Sequence, residues 1–236
     1  MENTQNFIVC NSLSKRYKSI VALDNLTLIL PQGKVIGLLG PNGSGKTTLI
    51  KLLAGLIIPS RGTVTIDGYT PGAETKAIVS YLPDKSFFAS WMSVKDCLNI
   101  FDDFYADFDR EHAEHMLSLL SIDKNRTYKS LSKGNQEKVQ LICAMARKAR
   151  LYLLDEPIAG VDPAAREYIL STIFDSYYKE ATILISTHLL ADVETVLDEF
   201  IFLKEGRCVA YNSVESSKNE TGKSLDELFR EVFRCY

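Results

Sequence analysis

One junction constrains this chain more than any other. The apolar run Val35-Ile36-Gly37-Leu38-Leu39 passes directly into Gly40-Pro41-Asn42-Gly43-Ser44-Gly45-Lys46-Thr47-Thr48. An uninterrupted apolar run marks a strand buried on both faces, as strands of a parallel sheet are. Lys46 to Ala54 then reads as a helix, and the loop between them fits G-x-x-x-x-G-K-S/T in full. Glycines let the backbone curl so that successive N–H groups point at one phosphate, and the helix that opens near Gly45 adds its positive end. Lys46 supplies a point charge to terminal phosphates, and the Thr47 hydroxyl is a hard oxygen donor suited to Mg2+. A strand-to-helix turn could use glycine for steric reasons alone; the buried strand before it and the helix after it favour the phosphate site.

Comparable buried strands are expected at Leu151 to Leu154 and Thr182 to Ser186, followed by helices over Pro163 to Tyr178 and Leu189 to Leu197. Strands alternating with helices imply an α/β fold, a parallel sheet covered by helices. Ahead of it, Phe7 to Leu30 has the pattern of two antiparallel strands with turn residues around Asn11 and Lys18. Residues 93–149 hold no buried strand. They read as an inserted helical subdomain with helices over Ser93 to Tyr105, Arg110 to Leu120 and Asn135 to Lys148. The polar stretch 211–224 has the composition of a linker. Beyond it, Leu225, Leu228, Phe229, Val232 and Phe233 share one helical face, which fits docking on the chain's own core better than capture of a partner.

Composition narrows the partners. Among 236 residues, 27 Lys+Arg against 30 Asp+Glu give a net charge of -3, with no basic footprint for wrapping nucleic acid. A phosphate-bearing ligand must therefore bind at a local site. Long stretches without Asp, Glu, Lys or Arg include Val35 to Gly45 and Ala181 to Ala191, eleven residues each, and none exceeds twelve, against the roughly 20 a membrane helix needs. Met1 to Phe7 carry Glu2 and no basic segment leading into an apolar one, so no secretory signal is expected. Five scattered cysteines without a Cys-x-x-Cys pair read as reduced thiols.

Two further strand ends carry chemistry. Leu151-Tyr152-Leu153-Leu154-Asp155-Glu156-Pro157 is an apolar strand ending in two carboxylates, at the sheet edge where a parallel topology also places the phosphate loop. Asp155 can hold Mg2+, and Glu156 can polarise a water that attacks the terminal phosphate. Ile185-Ser186-Thr187-His188 ends in one of three histidines; His188 could contact that phosphate and orient the water or Glu156. Alone, such strand ends are as readily solvated surface. The other two, His112 and His115, lie three apart on a polar helix face with no third ligand apparent, which disfavours a metal site.

At Leu131-Ser132-Lys133-Gly134-Asn135-Gln136-Glu137-Lys138-Val139 the chain resembles the ATP-binding subunit of ABC transporters, whose LSGGQ signature precedes a helix. Ser132 has the form of a helix N-cap. The resemblance covers nearly the whole chain, with elements in the family order. It implies a single ABC ATP-binding domain, ATP and Mg2+ as ligands, and hydrolysis with Lys46, Glu156 and His188 as catalytic residues. Gly40 to Thr48 would hold ATP, with Tyr17 stacked on adenine; Thr47, Asp84 and Asp155 would serve the metal. Tyr81-Leu82-Pro83-Asp84 occupies the place of a loop that usually carries Gln. In a head-to-tail homodimer or heterodimer, Ser132, Lys133, Gly134, Asn135 and Asp162 would complete the ATP site of the opposing subunit. Gly160-Val161-Asp162 matches the loop that communicates across that dimer, although Asp162 before Pro163 is also a plain helix cap.

The same resemblance implies a transmembrane permease as partner, no nucleic acid, and a place on the cytoplasmic face of the membrane. Three departures, Asp84 for Gln, Lys133 for Gly and Asn135 for Gln, resemble subunits paired with export-type (ABC-2-like) permeases, including systems for antibiotic export. Ser86 to Met92, aromatic-rich, is a candidate for the groove that receives the permease, or equally for a small core. A DNA-repair or chromosome ATPase shares these motifs but inserts long coiled coils, whereas Thr48 to Leu131 spans only about 80 residues without sustained heptads. A soluble ABC ATPase working with a non-membrane scaffold in cofactor assembly stays open as the alternative.

Overall fold

The computed structural model describes residues 6–158, 166, 170 and 180–233. Two long strands, β1 (Asn6–Tyr17) and β2 (Ile20–Pro31), pair antiparallel, and β4 (Arg61–Ile66) joins β1 on its other side to give a three-stranded sheet. The turn expected at Lys18 joins them, with Lys18 in the left-handed region. Around Asn11 the chain does not turn. Ser12 adopts a φ of 50° and the register slips between Cys10 and Leu13, so the polar residues there make a bulge within one strand.

The second sheet runs β5 (Val79–Leu82), β6 (Leu151–Asp155), β7 (Thr182–Thr187), β3 (Val35–Leu39), β8 (Glu199–Lys204), β9 (Arg207–Ser213). Its first five strands are parallel and β9 is antiparallel to β8. Every residue of β3, β6 and β7 is buried, the polar Asp155, Thr182, Ser186 and Thr187 included, as a sheet covered on both faces requires. Successive side chains go to opposite faces. Ile36, Leu38, Leu153 and Leu184 pack on the side of α1 (Lys46–Leu53), while Leu39, Leu154, Ile183 and Ile185 join the core beneath the helical insert.

Residues 93–149 contain α3 (Val94–Phe104), α4 (Arg110–Leu119) and α5 (Lys133–Met145), preceded in the chain by α2 (Ala73–Ile78). Each of the three starts at a cap: Ser93, Asp109 and Ser132 accept N–H bonds from Asp96, His112 and Asn135. Arg147, buried just past α5, ties the insert to the sheet through Asp107 on one side and the carbonyls of Ala77 and Val79 on the other.

Two stretches differ from expectation. Leu189 to Leu197 is not one helix but a four-residue α6 (Leu190–Val193) followed by a 3-10 turn, Glu194–Val196. The supposed linker 211–224 is ordered: Tyr211 to Ser213 complete β9, and Val214–Thr221 form α7. Ser213 caps α7 at its start and Gly222, left-handed, ends it. A helix that buries only Ser217 carries little apolar signal, which is why composition alone suggests a linker. After it, α8 (Leu225–Phe233) packs Phe229 and Phe233 edge-on against Phe202 of β8, so this helix lies on the chain's own core. The helix expected over Pro163 to Tyr178 lies, except for Arg166 and Leu170, outside the described residues.

Candidate active site

Parallel register brings three strand ends to one edge. Leu39 of β3 lies opposite Thr187 of β7, and Asp155 of β6 lies opposite Ser186. Between Leu39 and α1 the loop Gly40 to Gly45 is pressed against neighbouring backbone. A Cβ on Gly40 would stand 2.2 Å from the Leu203 carbonyl oxygen, and Gly45, at φ 109°, has the Ala22 carbonyl oxygen 2.5 Å from where its Cβ would be. No side chain caps α1, so its positive end faces into the loop.

Lys46 is only 7% exposed, and its ammonium donates to the Gly40 carbonyl at 2.7 Å and the Pro41 carbonyl at 3.3 Å. Burial pulls its pKa down, while the negative charges of Glu156 and Asp155 pull the other way. Ser44 lies buried in the same loop, and its hydroxyl finds no partner among the described residues. Thr47 donates from Oγ1 to Asp155 Oδ1 at 3.2 Å. Ser186 Oγ donates to the same oxygen at 2.6 Å. The other carboxylate oxygen, Asp155 Oδ2, is buried without a partner among the described residues. A hydroxyl and an unpartnered carboxylate oxygen side by side are the hard donors that Mg2+ takes from a protein when phosphates supply the rest. Among the described residues no group of three His, Cys, Asp or Glu could hold a metal, His112 and His115 included.

Glu156 follows Asp155 in the left-handed region, φ 54°. This turns its carboxylate away from the sheet and toward His188, whose Nδ1 lies 2.8 Å from Glu156 Oε2. The Glu156 N–H is held by the Ser186 carbonyl at 3.0 Å and also reaches Ser186 Oγ at 3.2 Å. Residues 32 apart in sequence thus form one carboxylate–imidazole pair at the mouth of the phosphate loop.

The remaining sequence candidates fall at different places. Asp84, exposed just past β5, lines a cleft of about 260 Å³ together with Glu156, Glu137, Gln140 and Lys133. Tyr81 senses both carboxylates: burial first, then Asp155 and Asp84, pushes its phenol up to about 12. Lys133 therefore opens onto the same cleft as Glu156 of its own chain, a proximity that the sequence did not reveal. Ser132 and Asn135 are engaged with each other, the Ser132 hydroxyl accepting the Asn135 N–H at 3.2 Å, and Gly134 lies between them in the first turn of α5. Asn42 is exposed and Thr48 half-buried in the phosphate loop and first turn. Tyr17, 42% exposed at the end of β1, offers its ring beside Lys15. Asp162, with Gly160 and Val161, lies outside the described residues. Ser186 was not singled out by the sequence; its one signal is a hydroxyl next to last in a buried strand, and Thr182 and Thr187 of the same strand also carry one.

A family model described as ABC transporter matches residues 23–159, more than half of the chain. The chain belongs to the ABC transporter ATP-binding family. Among relatives, the uncharacterized ABC transporter ATP-binding protein MJ1023 of Methanocaldococcus jannaschii is 32% identical over 213 residues, 88% of this chain and 78% of its own. A solved structure described as the ATP binding subunit of an ABC transporter matches with a TM-score of 0.84 and 31% identity over 96% of this chain and 99% of that one. The ATP-binding cassette MJ0796, solved as a dimer in a post-hydrolysis state with ADP and Pi, shares the fold at a TM-score of 0.76 and 20% identity, over 87% of this chain and 98% of that one. As an ATP-binding subunit of an ABC transporter, the chain binds ATP with Mg2+ and hydrolyses it. Among the described residues no helix is long and apolar enough to cross a membrane.

Proposed function

We propose that this ABC ATPase hydrolyses ATP with Glu156 as general base and powers a separate export-type permease. The observation that carries the catalytic part is the Glu156–His188 contact of 2.8 Å, set beside Lys46 and the Thr47–Asp155 pair. Lys46, now on the carbonyls of Gly40 and Pro41, transfers its hydrogen bonds to the terminal phosphates when ATP enters, and the loop N–H groups and the uncapped start of α1 hold the rest of the phosphate chain. Thr47 and Asp155 would hold Mg2+, with Asp84 at the edge of the same site, and the ion would supply positive charge to offset that of the phosphates. Glu156 takes a proton from the attacking water as the water oxygen bonds to the γ-phosphorus and the bond to ADP breaks. His188 holds the carboxylate for that task. Tyr17 stacks on adenine.

The chain works as a dimer in which Ser132, Lys133, Gly134, Asn135 and Asp162 of one copy, or of a related subunit, face the ATP of the other. The solved dimer of the MJ0796 cassette supports this geometry. A cleft of about 510 Å³ between β5 and α3 supports the permease docking site. Within Ser86 to Met92, Phe88 and Met92 belong to the core, and only Phe87 lines this cleft; Trp91, 76% exposed, does not line it. The groove is built instead by Leu56, Phe87, Ile100 and Phe104 around Tyr81. Asp84, Lys133 and Asn135 support the export-type partner, and the permease places the chain at the cytoplasmic face of the membrane.

Glu156→Gln tests the base. Turnover should fall on the order of 100- to 10,000-fold with ATP affinity retained and an ATP-bound dimer trapped on size exclusion. Unchanged turnover would refute the assignment. Phe87→Ala together with Phe104→Ala should abolish co-purification with the permease from detergent-solubilised membranes while ATP binding persists.

A further inference from the structure

Ser186 is buried in the middle of the site, between the two carboxylates. It stands on β7 directly opposite Asp155, and the two side chains leave the sheet on the face that carries α1. Parallel register therefore sets its hydroxyl beside the carboxylate rather than above or below it. The bond to Asp155 Oδ1, 2.6 Å, is shorter than the 3.2 Å bond from Thr47 to the same atom. Two hydroxyls from different elements thus converge on Oδ1 and leave the buried Oδ2 without a partner among the described residues. A carboxylate on a strand end has rotamer freedom; one whose first oxygen is held in this way presents the second in a single direction.

We propose that Ser186 is a positioning residue for the metal site: its hydroxyl fixes the Asp155 carboxylate so that Oδ2 is aimed at Mg2+, and it does so without touching ATP or metal itself. This rests on the metal role of Asp155 given above. The second contact of the hydroxyl, with the Glu156 N–H, is redundant, because that N–H also bonds the Ser186 backbone carbonyl at 3.0 Å. Loss of the hydroxyl therefore falls on Asp155 and leaves the Glu156 backbone in place. His188, just past the end of β7, meets Glu156, just past the end of β6, so the end of one strand holds both carboxylates at the end of its neighbour.

The test is binding of Mn2+ to the ATP-loaded full chain, followed by electron paramagnetic resonance. Ser186→Ala should weaken Mn2+ by roughly 10- to 100-fold, the usual effect of removing an outer partner of a metal ligand, with kcat falling alongside. ATP affinity in EDTA should stay within about twofold, since Lys46 and the loop are untouched. Ser80→Ala removes another buried hydroxyl, bonded to the Ala144 carbonyl at 2.8 Å on β5, and should leave Mn2+ affinity unchanged. Should the alanine variant not fold, Ser186→Thr and Ser186→Val share one shape and differ in the hydroxyl; Thr should keep Mn2+ affinity and Val should lose about tenfold. Equal Mn2+ affinity in the parent and Ser186→Ala, or in the Thr and Val variants, overturns the proposal. Asp155→Asn separates the two levels: if it too leaves Mn2+ affinity unchanged, the metal role of Asp155 fails, and if it alone weakens Mn2+, only the role of Ser186 fails.

Discussion

Two helices of this chain begin with small residues and a lysine, and they are finished in opposite ways. At the start of α1, Gly45 sits at φ 109° with no side-chain cap, and Lys46 is buried and folded onto the loop carbonyls. At the start of α5, Ser132 closes the helix with its own hydroxyl, and the Lys133 side chain, 84% exposed, pairs with Glu137 at 3.9 Å. A helix end without a cap keeps unsatisfied donors for a ligand, and a capped one has spent one of them on itself. The first end is complete within the chain, enclosed by Asp155, Ser186 and the loop. The second, on the proposed function, is half a site, a phosphate contact only when another chain brings the phosphate to it.

The largest effect expected from this contrast concerns the two lysines. Lys46→Ala removes a buried hydrogen-bonded cation that sits among Asp155 and Glu156, and ATP affinity should fall by about 100-fold or more, from the 2–5 kcal/mol typical of losing one partner of such a set. Lys133→Ala should leave single-chain ATP affinity, measured by calorimetry below the dimerisation concentration, within about threefold. Equal losses would break the distinction between a complete and a half site. Gly45→Ala comes next. Its methyl would meet the Ala22 carbonyl at 2.5 Å and Leu23 Cδ2 at 2.9 Å, in a backbone region that alanine avoids. A cost of about 2 kcal/mol should appear as a melting temperature lower by roughly 4–8 °C together with lost nucleotide binding.

The contrast also explains what could be seen in the sequence. Phosphate loops are local: nine consecutive residues carry glycine, lysine and threonine at fixed spacing, and the buried strand before them is written in its own composition. The Glu156–His188 pair spans 32 positions, yet both residues end apolar strands, and a parallel sheet aligns such ends. Ser186 needed the register itself, because nothing in Ile185-Ser186-Thr187-His188 tells which neighbour a buried hydroxyl will face. Lys133 beside Glu156 in one cleft likewise depends on how α5 is set against β6, information held in no local pattern. At α7 the apolar signal was too weak, and the caps Ser213 and Gly222 were the only marks of a helix in a polar stretch.

Ser132→Ala separates capping from ligand binding. Loss of the bond to the Asn135 N–H should cost about 1 kcal/mol, a melting temperature lower by roughly 2–4 °C. If α5 also meets phosphate in a dimer, turnover should fall further than this stability loss explains, while ATP affinity of the single chain holds. A change confined to melting temperature would leave Ser132 as a cap and nothing more.

The smallest effect belongs to Lys133, and its value lies in sign. In the free chain the ammonium stands in the first turn of α5, next to the positive end of the helix, with no acidic residue in that turn to offset it. Such a charge is unfavourable by about 0.3–1 kcal/mol, and the exposed pair with Glu137, 3.9 Å apart, returns about 0.3–0.5 kcal/mol of this. Lys133→Ala should therefore raise the melting temperature slightly, by about 1 °C or less, and the gain should shrink as salt is added. In the proposed dimer the same cation would face an ATP phosphate, so its removal should raise the KM for ATP by about two- to fivefold, the equivalent of roughly 0.5–1 kcal/mol. A residue that steadied only its own helix would move both quantities in the unfavourable direction. Opposite signs, a firmer chain with poorer use of ATP, are what a half site predicts: a charge held at some cost where its own chain has no use for it.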